Sequence, residues 1–270
     1  MTICLAFSPC PNDTFVFHAL VHGLVPGAPP VEVSYADVDV TNTAAERGAY
    51  DLVKVSYGAL PWLLDRYALL PCGGALGRGC GPLVLTRDAP VRTGGGTVAV
   101  PGDRTTAYLL FRLWAAGAPP EKIEVVPFHE IMPGVAAGRY DAGLVIHEAR
   151  FTYQRYGLVA RADLGAWWEA ETGLPIPLGA ILAKRDAVDP AQAAEWVRQS
   201  VRHAWAHPAA SEQYVLEHAQ EMEPDVVAQH IALYVNGFTE DLGEEGIGAV
   251  RALLDRAAAA GLTPAVPSDF

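Results

Sequence analysis

Two stretches of the chain carry nearly the same pattern 90 residues apart: Gly48-Ala49-Tyr50-Asp51-Leu52-Val53-Lys54-Val55-Ser56 and Gly138-Arg139-Tyr140-Asp141-Ala142-Gly143-Leu144-Val145-Ile146-His147. Each follows a helical segment of small residues and leads through Gly-x-Tyr-Asp into a short apolar strand that ends at a polar residue. In open α/β sheets, ligands collect beyond the carboxyl ends of the strands. We therefore expect Lys54, Ser56 and His147 to face a shared cleft. The alternative is that Gly-x-Tyr-Asp is only a common helix-to-strand turn.

Strand and helix patterns alternate around these repeats, and only helical patterns follow residue 190. Strands are predicted at 3–7, 31–38, 52–55, 67–71, 82–86, 97–100, 123–127, 142–146 and 178–183. Helices are predicted at 12–22, 42–47, 59–65, 105–116, 131–137, 191–206, 211–219, 225–235 and 244–260. The Gly-rich segment 73–81 is interpreted as a hinge or as a loop pressed close to a ligand. This alternation predicts mostly parallel, buried sheets.

Two such units predict an α/β protein with the layout of a type II periplasmic-binding-protein-like fold. It has two lobes, a ligand cleft between them and a C-terminal helical segment. Lobe one is expected to be discontinuous, 1–88 plus 187–270, because the helical tail is expected to pack back on it. Lobe two is expected at 89–186. Folds of this kind close over a ligand by a hinge.

The surface charge limits the possible partners. The 270 residues carry a formal net charge of −12 and a pI near 5.0, which argues against nucleic acid and anionic membrane surfaces. A local Lys or Arg in a cleft still allows a small anionic substrate. No segment reads as a targeting signal or is long and apolar enough to insert in a membrane, so a cytoplasmic location is expected. The sequence leaves the oligomeric state open.

Cysteines and paired histidines do not predict a metal site. The four cysteines fit no zinc spacing and are expected to be reduced, and Cys72 and Cys80 receive no role. Pairs of histidines at i, i+4 could bind a metal, but no nearby carboxylate completes a site. These pairs are His18 with His22 and His203 with His207.

Two strand ends carry candidate ligand-binding groups. Helices begin within Ser8–Thr14 and after Pro101-Gly102-Asp103-Arg104, where free N–H groups can hold an anion. Thr105 and Thr106 add hydroxyls that suit a ligand carboxylate or hydroxyl. The alternative is ordinary N-capping, which explains one threonine well but the pair less well. Aromatic residues at 151–157 and 163–169 are either plain core or a wall for a planar substrate.

His147 is the candidate acid–base group. An imidazole titrates near neutrality, which suits proton transfer. Its neighbours Glu148 and Arg150 could orient it or tune its pKa. The alternative is a hydrogen-bonded core histidine.

Several segments together resemble 1,4-dihydroxy-6-naphthoate synthases of the futalosine route to menaquinone. The resemblance runs over nearly the whole chain. Its segments are Ser8–Phe15, Gly73–Gly79, Thr105–Tyr108, Ile146–Tyr153, Asp163–Trp168, Thr172–Ala180 and Tyr234–Asn236.

The resemblance implies a cytoplasmic lyase with a periplasmic-binding-protein-like fold and with no cofactor or metal. It implies cleavage of cyclic dehypoxanthinyl futalosine, a small anionic aromatic substrate, to 1,4-dihydroxy-6-naphthoate and a sugar-derived fragment. The family's general base falls on His147. Its substrate-binding stretches fall on Lys54-Val55-Ser56 and Thr105-Thr106, and further candidate binding residues are Ser8, Asn12, Asn42 and Arg78.

Two other functions stay open. Chorismate dehydratase is a related lyase of the same pathway with a similar fold, and it is expected to lack the His147 segment in this form. A solute-binding protein would capture a small anion without turnover and would normally carry a signal peptide.

Overall fold

The computed structural model describes residues 2–88, 96–219, 223–267 and 270. The strands are β1 (Ile3–Phe7), β2 (Val31–Tyr35), β3 (Leu52–Ser56), β4 (Tyr67–Leu69), β5 (Ala75–Gly77), β6 (Leu83–Arg87), β7 (Thr97–Val100), β8 (Lys122–Val125), β9 (Ala142–Val145), β10 (Leu158–Asp163) and β11 (Ile176–Lys184). The helices are α1 (Pro11–Val21), α2 (Val38–Glu46), α3 (Thr106–Trp114), α4 (Phe128–Ala136), α5 (Ala149–Thr152), α6 (Leu164–Thr172), α7 (Pro190–Ala206), α8 (Pro208–His218), α9 (Pro224–Tyr234), α10 (Gly237–Glu240) and α11 (Gly243–Ala259). Two 3-10 helices lie at Tyr57–Trp62 and Tyr153–Tyr156.

The strands form two sheets of similar construction. The first has the order β2-β1-β3-β11-β4, with β5 also paired to β11, and the second has the order β10-β6-β9-β7-β8. In each sheet three parallel strands, β2-β1-β3 or β8-β7-β9, are followed by an antiparallel strand, β11 or β6. Both sheets are therefore mixed. The alternation of strands and helices in the sequence alone predicts mostly parallel pairing.

The two sequence repeats occupy equivalent places in these sheets. Gly48 and Gly138 both end a helix with a positive φ, at 71° and 78°, which a residue with a Cβ rarely adopts. The Asp51 carboxylate accepts the Cys4 N–H at 2.9 Å, and the Asp141 carboxylate accepts the Thr97 N–H at 2.8 Å. Each aspartate thus joins the repeat's strand to the start of the neighbouring parallel strand. The repeat is a structural one and not a chance turn.

The sheets divide the chain at different points from those expected. Division at 88 and 187 assigned β6 to lobe one and β11 to lobe two, but β6 pairs with β9 and β10 while β11 pairs with β3, β4 and β5. The chain crosses from one lobe to the other just before β6 and again just before β11. Each of these strands therefore belongs to the sheet of the lobe that the chain has just entered. We propose lobes that follow the sheets, with crossings near residues 78–82 and 164–175.

The C-terminal helices cover the first lobe. Helices α7, α8 and α9 contact α1, and α11 contacts β11. The buried Ser200 hydroxyl on α7 donates to the Val16 carbonyl at 2.6 Å and accepts the Leu20 N–H at 3.1 Å, which fastens α7 to α1. No helix among the described residues is long and apolar enough to cross a membrane.

The Gly-rich segment is part of the first sheet and not a free loop, because β5 lies within it. A Cβ on Gly74 would lie 2.5 Å from the Gly179 carbonyl oxygen, so this pairing needs a bare backbone. The close approach at Gly74 is therefore to strand β11 and not to a ligand. Ala75 and Gly81 from the same segment line the cavity. Strand β10 and helix α6 were not predicted.

Candidate active site

A cavity of about 680 Å³, counted with its opening to solvent, lies between the two sheets. Its lining is drawn from both lobes: Ser8, Asn12, Asp13, Val38, Thr41, Lys54, Ser56, Ala75, Gly81, Pro82, Thr105, Thr106, Ala107, Ile146, His147, Leu178, Gly179, His230 and Tyr234. The carboxyl ends of β3 and β9 meet here, so Lys54, Ser56 and His147 share one cavity, as their place after the repeats predicts.

Alternation along β3 places the residues of the stretch Lys54-Val55-Ser56 on two different faces of the sheet. Lys54 and Ser56 lie on the cavity face of β3, whereas Val55 points to the opposite face and is fully buried in the hydrophobic core. Val55 therefore supports the strand and does not line the cavity.

Asn42 lies behind Ser56. Its side-chain carbonyl accepts the Ser56 N–H at 2.8 Å, and its amide donates to Ser56 Oγ at 3.2 Å. Asn42 is buried and does not line the cavity. Because the amide fills one acceptor position of Ser56 Oγ, the hydroxyl proton is left to point elsewhere, and Ser56 can donate to a ligand.

Lys54 forms a buried ion pair with Asp13 on α1. The side chains are 8% and 3% exposed, and burial raises the pKa of Asp13 against the opposing effect of Lys54. The pair brings no net charge to the cavity, so Lys54 does not by itself make the site cationic.

The same carboxylate organises Asn12 and His230. Asp13 Oδ1 accepts a hydrogen bond from Asn12 Nδ2 at 2.8 Å, and Asn12 Oδ1 lies 2.9 Å from His230 Nε2. Ser8, the first residue of this turn, donates to the Cys10 thiol at 2.9 Å and accepts the Cys10 N–H at 3.3 Å. Ser8 lines the cavity with its hydroxyl already engaged in the turn.

His147 follows β9 in a strained conformation. Its φ of 56° is the one positive value among the non-glycine residues that the structure describes, and such strain concentrates at functional sites. Its ring meets Phe128 edge-on at 5.5 Å and faces the His230 ring at 6.5 Å. Burial lowers the pKa of His147 to about 4, with a smaller contribution from Lys54. The imidazole is neutral at pH 7 and can accept a proton.

Arg150 fixes the chain after His147. Its guanidinium donates to the Gly81 carbonyl at 3.1 Å, the Gly79 carbonyl at 3.3 Å and the Asp163 carboxylate at 2.5 Å. It thereby ties α5 to the 79–81 turn and to the N-terminus of α6. Arg150 supports the backbone beside His147 through these contacts.

Thr105 and Thr106 use their hydroxyls within the protein. Thr105 Oγ1 donates to the Gly102 carbonyl at 2.9 Å and accepts the Tyr108 N–H at 3.1 Å, which makes it the N-cap of α3. Thr106 Oγ1 donates to the Leu178 carbonyl at 2.7 Å and accepts the Gly58 N–H at 3.0 Å. Both threonines line the cavity, and the groups left for a ligand are the backbone N–H groups of Thr106 and Ala107, which precede the first intrahelical bond.

Arg104 makes a further contact across the cleft. It pairs with Glu46 at 3.0 Å and lies 3.7 Å above the Trp62 ring. With the Thr106 contacts, it holds the lobes together beside the cavity.

Arg78 is not brought to the cavity. Its exposed guanidinium donates to Glu245 at 2.7 Å and to the Gly173 carbonyl at 3.0 Å. The Gly-rich strand segment turns this side chain outward, towards α11. The candidate aromatic wall is also absent from the cavity lining, since the fully buried Trp168 instead donates its indole N–H to the Pro175 carbonyl at 3.0 Å.

Several cavity residues were not candidates from the sequence, and those with polar side chains are Asp13, Thr41, His230 and Tyr234. Asp13 and Tyr234 lie inside motif segments and could have been found there. His230 shows no local signal, because a histidine within an apolar helix is usually core. Among the described ranges, no group of three or more His, Cys, Asp or Glu side chains is placed to hold a metal ion.

Several solved structures with this architecture are ligand-binding proteins. The alkanesulfonate-binding protein of Xanthomonas axonopodis matches with a TM-score of 0.73 at 17% identity, covering 97% of this chain and 94% of that one. The ligand-binding component of a Staphylococcus aureus ABC-type import system matches with a TM-score of 0.72 at 12% identity, covering 98% and 94%. The fold is therefore a two-lobed periplasmic-binding-protein-like α/β fold, which confirms the expected class.

The family is narrower than that fold. The chain belongs to the menaquinone biosynthesis family, whose model matches residues 3–259. It is 64% identical to the 1,4-dihydroxy-6-naphthoate synthase of Streptomyces coelicolor over 99% of this chain and 97% of the relative. It is 51% identical to that of Thermus thermophilus over 97% and 96%. An Archaeoglobus fulgidus structure matches with a TM-score of 0.90 at 31% identity, covering 97% and 98%.

Proposed function

We propose that this chain is a 1,4-dihydroxy-6-naphthoate synthase. It is a carbon–carbon lyase that converts cyclic dehypoxanthinyl futalosine to 1,4-dihydroxy-6-naphthoate. Two relatives of that name, similar over nearly the full length, support the activity. The structural observation that carries the proposal is the neutral, strained imidazole of His147 at the cavity. The cytoplasmic location expected from the sequence stays a prediction.

The proton acceptor in this proposal is His147. Skeletal cleavage towards an aromatic naphthoate needs removal of a proton and stabilisation of the oxyanion charge that develops. A neutral imidazole held beside the substrate performs the first step as a general base. Its low pKa keeps it unprotonated in the resting protein at neutral pH.

Hydrogen-bond donors stabilise the negative charge. The N–H groups of Thr106 and Ala107 stand at the positive end of the α3 dipole, and this end suits the substrate's carboxylate. The Ser56 hydroxyl can donate to an oxyanion. Lys54 acts through its pair with Asp13, which holds α1 against β3 and so fixes the cavity wall.

Closure of the lobes excludes water. Thr106 and Arg104 join the second lobe to the first beside the cavity. A closed, dry cavity strengthens each hydrogen bond to developing charge and protects a reactive intermediate.

One assay separates this function from its alternatives. The purified protein is incubated with cyclic dehypoxanthinyl futalosine or with chorismate, and products are identified by liquid chromatography and mass spectrometry. Naphthoate formed from the first substrate supports the proposal, and a dehydrated product from chorismate alone would contradict it. Tight binding of either compound without turnover would indicate a solute-binding protein. The same assay applied to His147→Asn tests the general base. Its control is His129→Asn, which changes an exposed histidine on α4.

A further inference from the structure

A second histidine faces the cavity from the first lobe. His230 lies on α9, is 1% exposed and lines the cavity. Its ring is 6.5 Å from the His147 ring, at an interplanar angle of 19°. Two imidazoles from different lobes therefore lie face to face at the same site.

A chain of hydrogen bonds fixes the tautomer of His230. Asn12 Nδ2 donates to Asp13 Oδ1, which leaves Asn12 Oδ1 as the atom 2.9 Å from His230 Nε2. Since a carbonyl oxygen only accepts, Nε2 carries the proton. Asp13 is fixed in turn by its ion pair with Lys54. The neutral imidazole keeps its lone pair on Nδ1.

That Nδ1 atom is buried and has no hydrogen-bond partner within the described ranges. A buried polar atom without a partner is costly and uncommon in folded proteins. Burial, together with His147 and Lys54, holds the pKa of His230 well below its ordinary value, so Nδ1 stays an acceptor. His230 lines the cavity, and an imidazole acceptor there favours a hydroxyl of a ligand over a carboxylate.

We propose that His230 is a substrate-binding residue whose Nδ1 accepts a hydrogen bond from a hydroxyl of the substrate. This inference rests on the proposed function, whose substrate combines a carboxylate with hydroxyl groups. The carboxylate takes the donor end of the cavity at Thr106 and Ala107, and a hydroxyl takes the acceptor end at His230. The two ends together fix the direction in which the substrate lies and present its reacting carbon to His147.

Two isosteric variants separate this role from a merely structural one. His230→Asn keeps an acceptor near the Nδ1 position and loses the contact with Asn12. His230→Gln keeps a donor near the Nε2 position, and with it the contact with Asn12, but loses the Nδ1 acceptor. If His230 only supports Asn12, the glutamine variant is the milder one.

The experiment measures calorimetric binding of cyclic dehypoxanthinyl futalosine in a His147→Asn background, where turnover is slow. Adding His230→Gln is expected to weaken affinity at least tenfold, and adding His230→Asn less than threefold. The reverse order, or wild-type affinity in the glutamine variant, would overturn the proposal. Thermal melts check that each variant folds. If His230→Asn does not fold, unchanged affinity in His230→Gln is by itself enough to overturn the proposal.

Turnover by the unmodified chain is measured in parallel. Absence of both turnover and binding in that chain would overturn the proposed function and the role of His230 with it. Turnover in the unmodified chain with unchanged binding in His230→Gln would overturn only the role of His230.

Discussion

The Gly58 N–H donates to Thr106 Oγ1 at 3.0 Å across the cleft, and the same hydroxyl donates to the Leu178 carbonyl at 2.7 Å. Gly58 and Leu178 belong to the first lobe and Thr106 to the second. One side-chain hydroxyl therefore fastens the lobes beside the cavity. This changes the role expected for the Thr106 hydroxyl from ligand donor to lobe contact.

Thr106→Val is expected to raise KM by weakening the closed form. The substitution leaves the Gly58 N–H and the Leu178 carbonyl without their partner, a loss of about 1–3 kcal/mol when such groups stay buried. Steady-state kinetics and thermal melts measure the two effects. Thr106→Ser, which keeps the hydroxyl, is expected to behave as wild type, and a normal KM in Thr106→Val would argue against the lobe contact.

Gly58→Ala tests the same contact sterically. An added Cβ would lie 3.1 Å from the Thr105 carbonyl oxygen and 3.1 Å from Thr106 Cα, which is backbone that cannot rotate away. We expect kcat/KM to fall by about tenfold, corresponding to about 1.4 kcal/mol. Gly117→Ala is the matched control, since nothing lies within 4 Å of its added Cβ. Equal kinetics in both variants would show that the lobes tolerate separation at Gly58.

Lys54→Met is expected to destabilise the fold by about 3–5 kcal/mol, because it leaves Asp13 buried without its cation. The double variant Lys54→Met, Asp13→Asn removes both charges and should recover much of that stability. Denaturant unfolding measures both variants, with the exposed Lys122→Met as control. Additive losses in the double variant would contradict the coupling of Lys54 to Asp13.

The repeats show how far sequence alone could reach. Gly48 with Asp51 and Gly138 with Asp141 encode a local turn and strand start, so they predict where Lys54, Ser56 and His147 emerge. Strand alternation then decides that Val55 faces the core, which a motif match does not convey. The sheet to which β6 or β11 belongs depends on pairing partners far along the chain. The apolar composition of these two strands does not indicate which sheet that is.

Side-chain partnerships were the least predictable part of the site. Lys54 pairs with Asp13 across 41 positions, and His230 meets Asn12 across 218. Thr106 was predicted at the cavity from its place at a helix start, but its hydroxyl is used by Gly58 and Leu178. Such contacts arise from the packing of whole elements, and no local pattern in the sequence records them.

The low pKa of His147 predicts the pH dependence of stability. An unfolded histidine titrates at about 6.5 and the folded one at about 4, so between these values the unfolded chain binds more protons. The free energy of unfolding therefore falls as the pH is lowered from about 6.5 towards about 4, by at most about 3 kcal/mol from this residue. Above pH 6.5 the contribution is constant. Urea unfolding at several pH values should show a smaller decline in His147→Asn than in wild type.

His147→Asn should remove most turnover while the folded protein still binds substrate. Asparagine tolerates the positive φ of this position and keeps one hydrogen bond, but it cannot take a proton near neutral pH. Loss of a general base costs about a hundredfold to ten-thousandfold. The wild-type kcat/KM should change little between pH 7 and pH 5, whereas an unshifted imidazole would lose about twenty-fivefold. Single-turnover kinetics beside calorimetric binding measure both effects. Near-normal chemistry in His147→Asn would remove this residue from the mechanism, and a steep loss between pH 7 and pH 5 in the wild type would show that His147 is not held neutral by its surroundings.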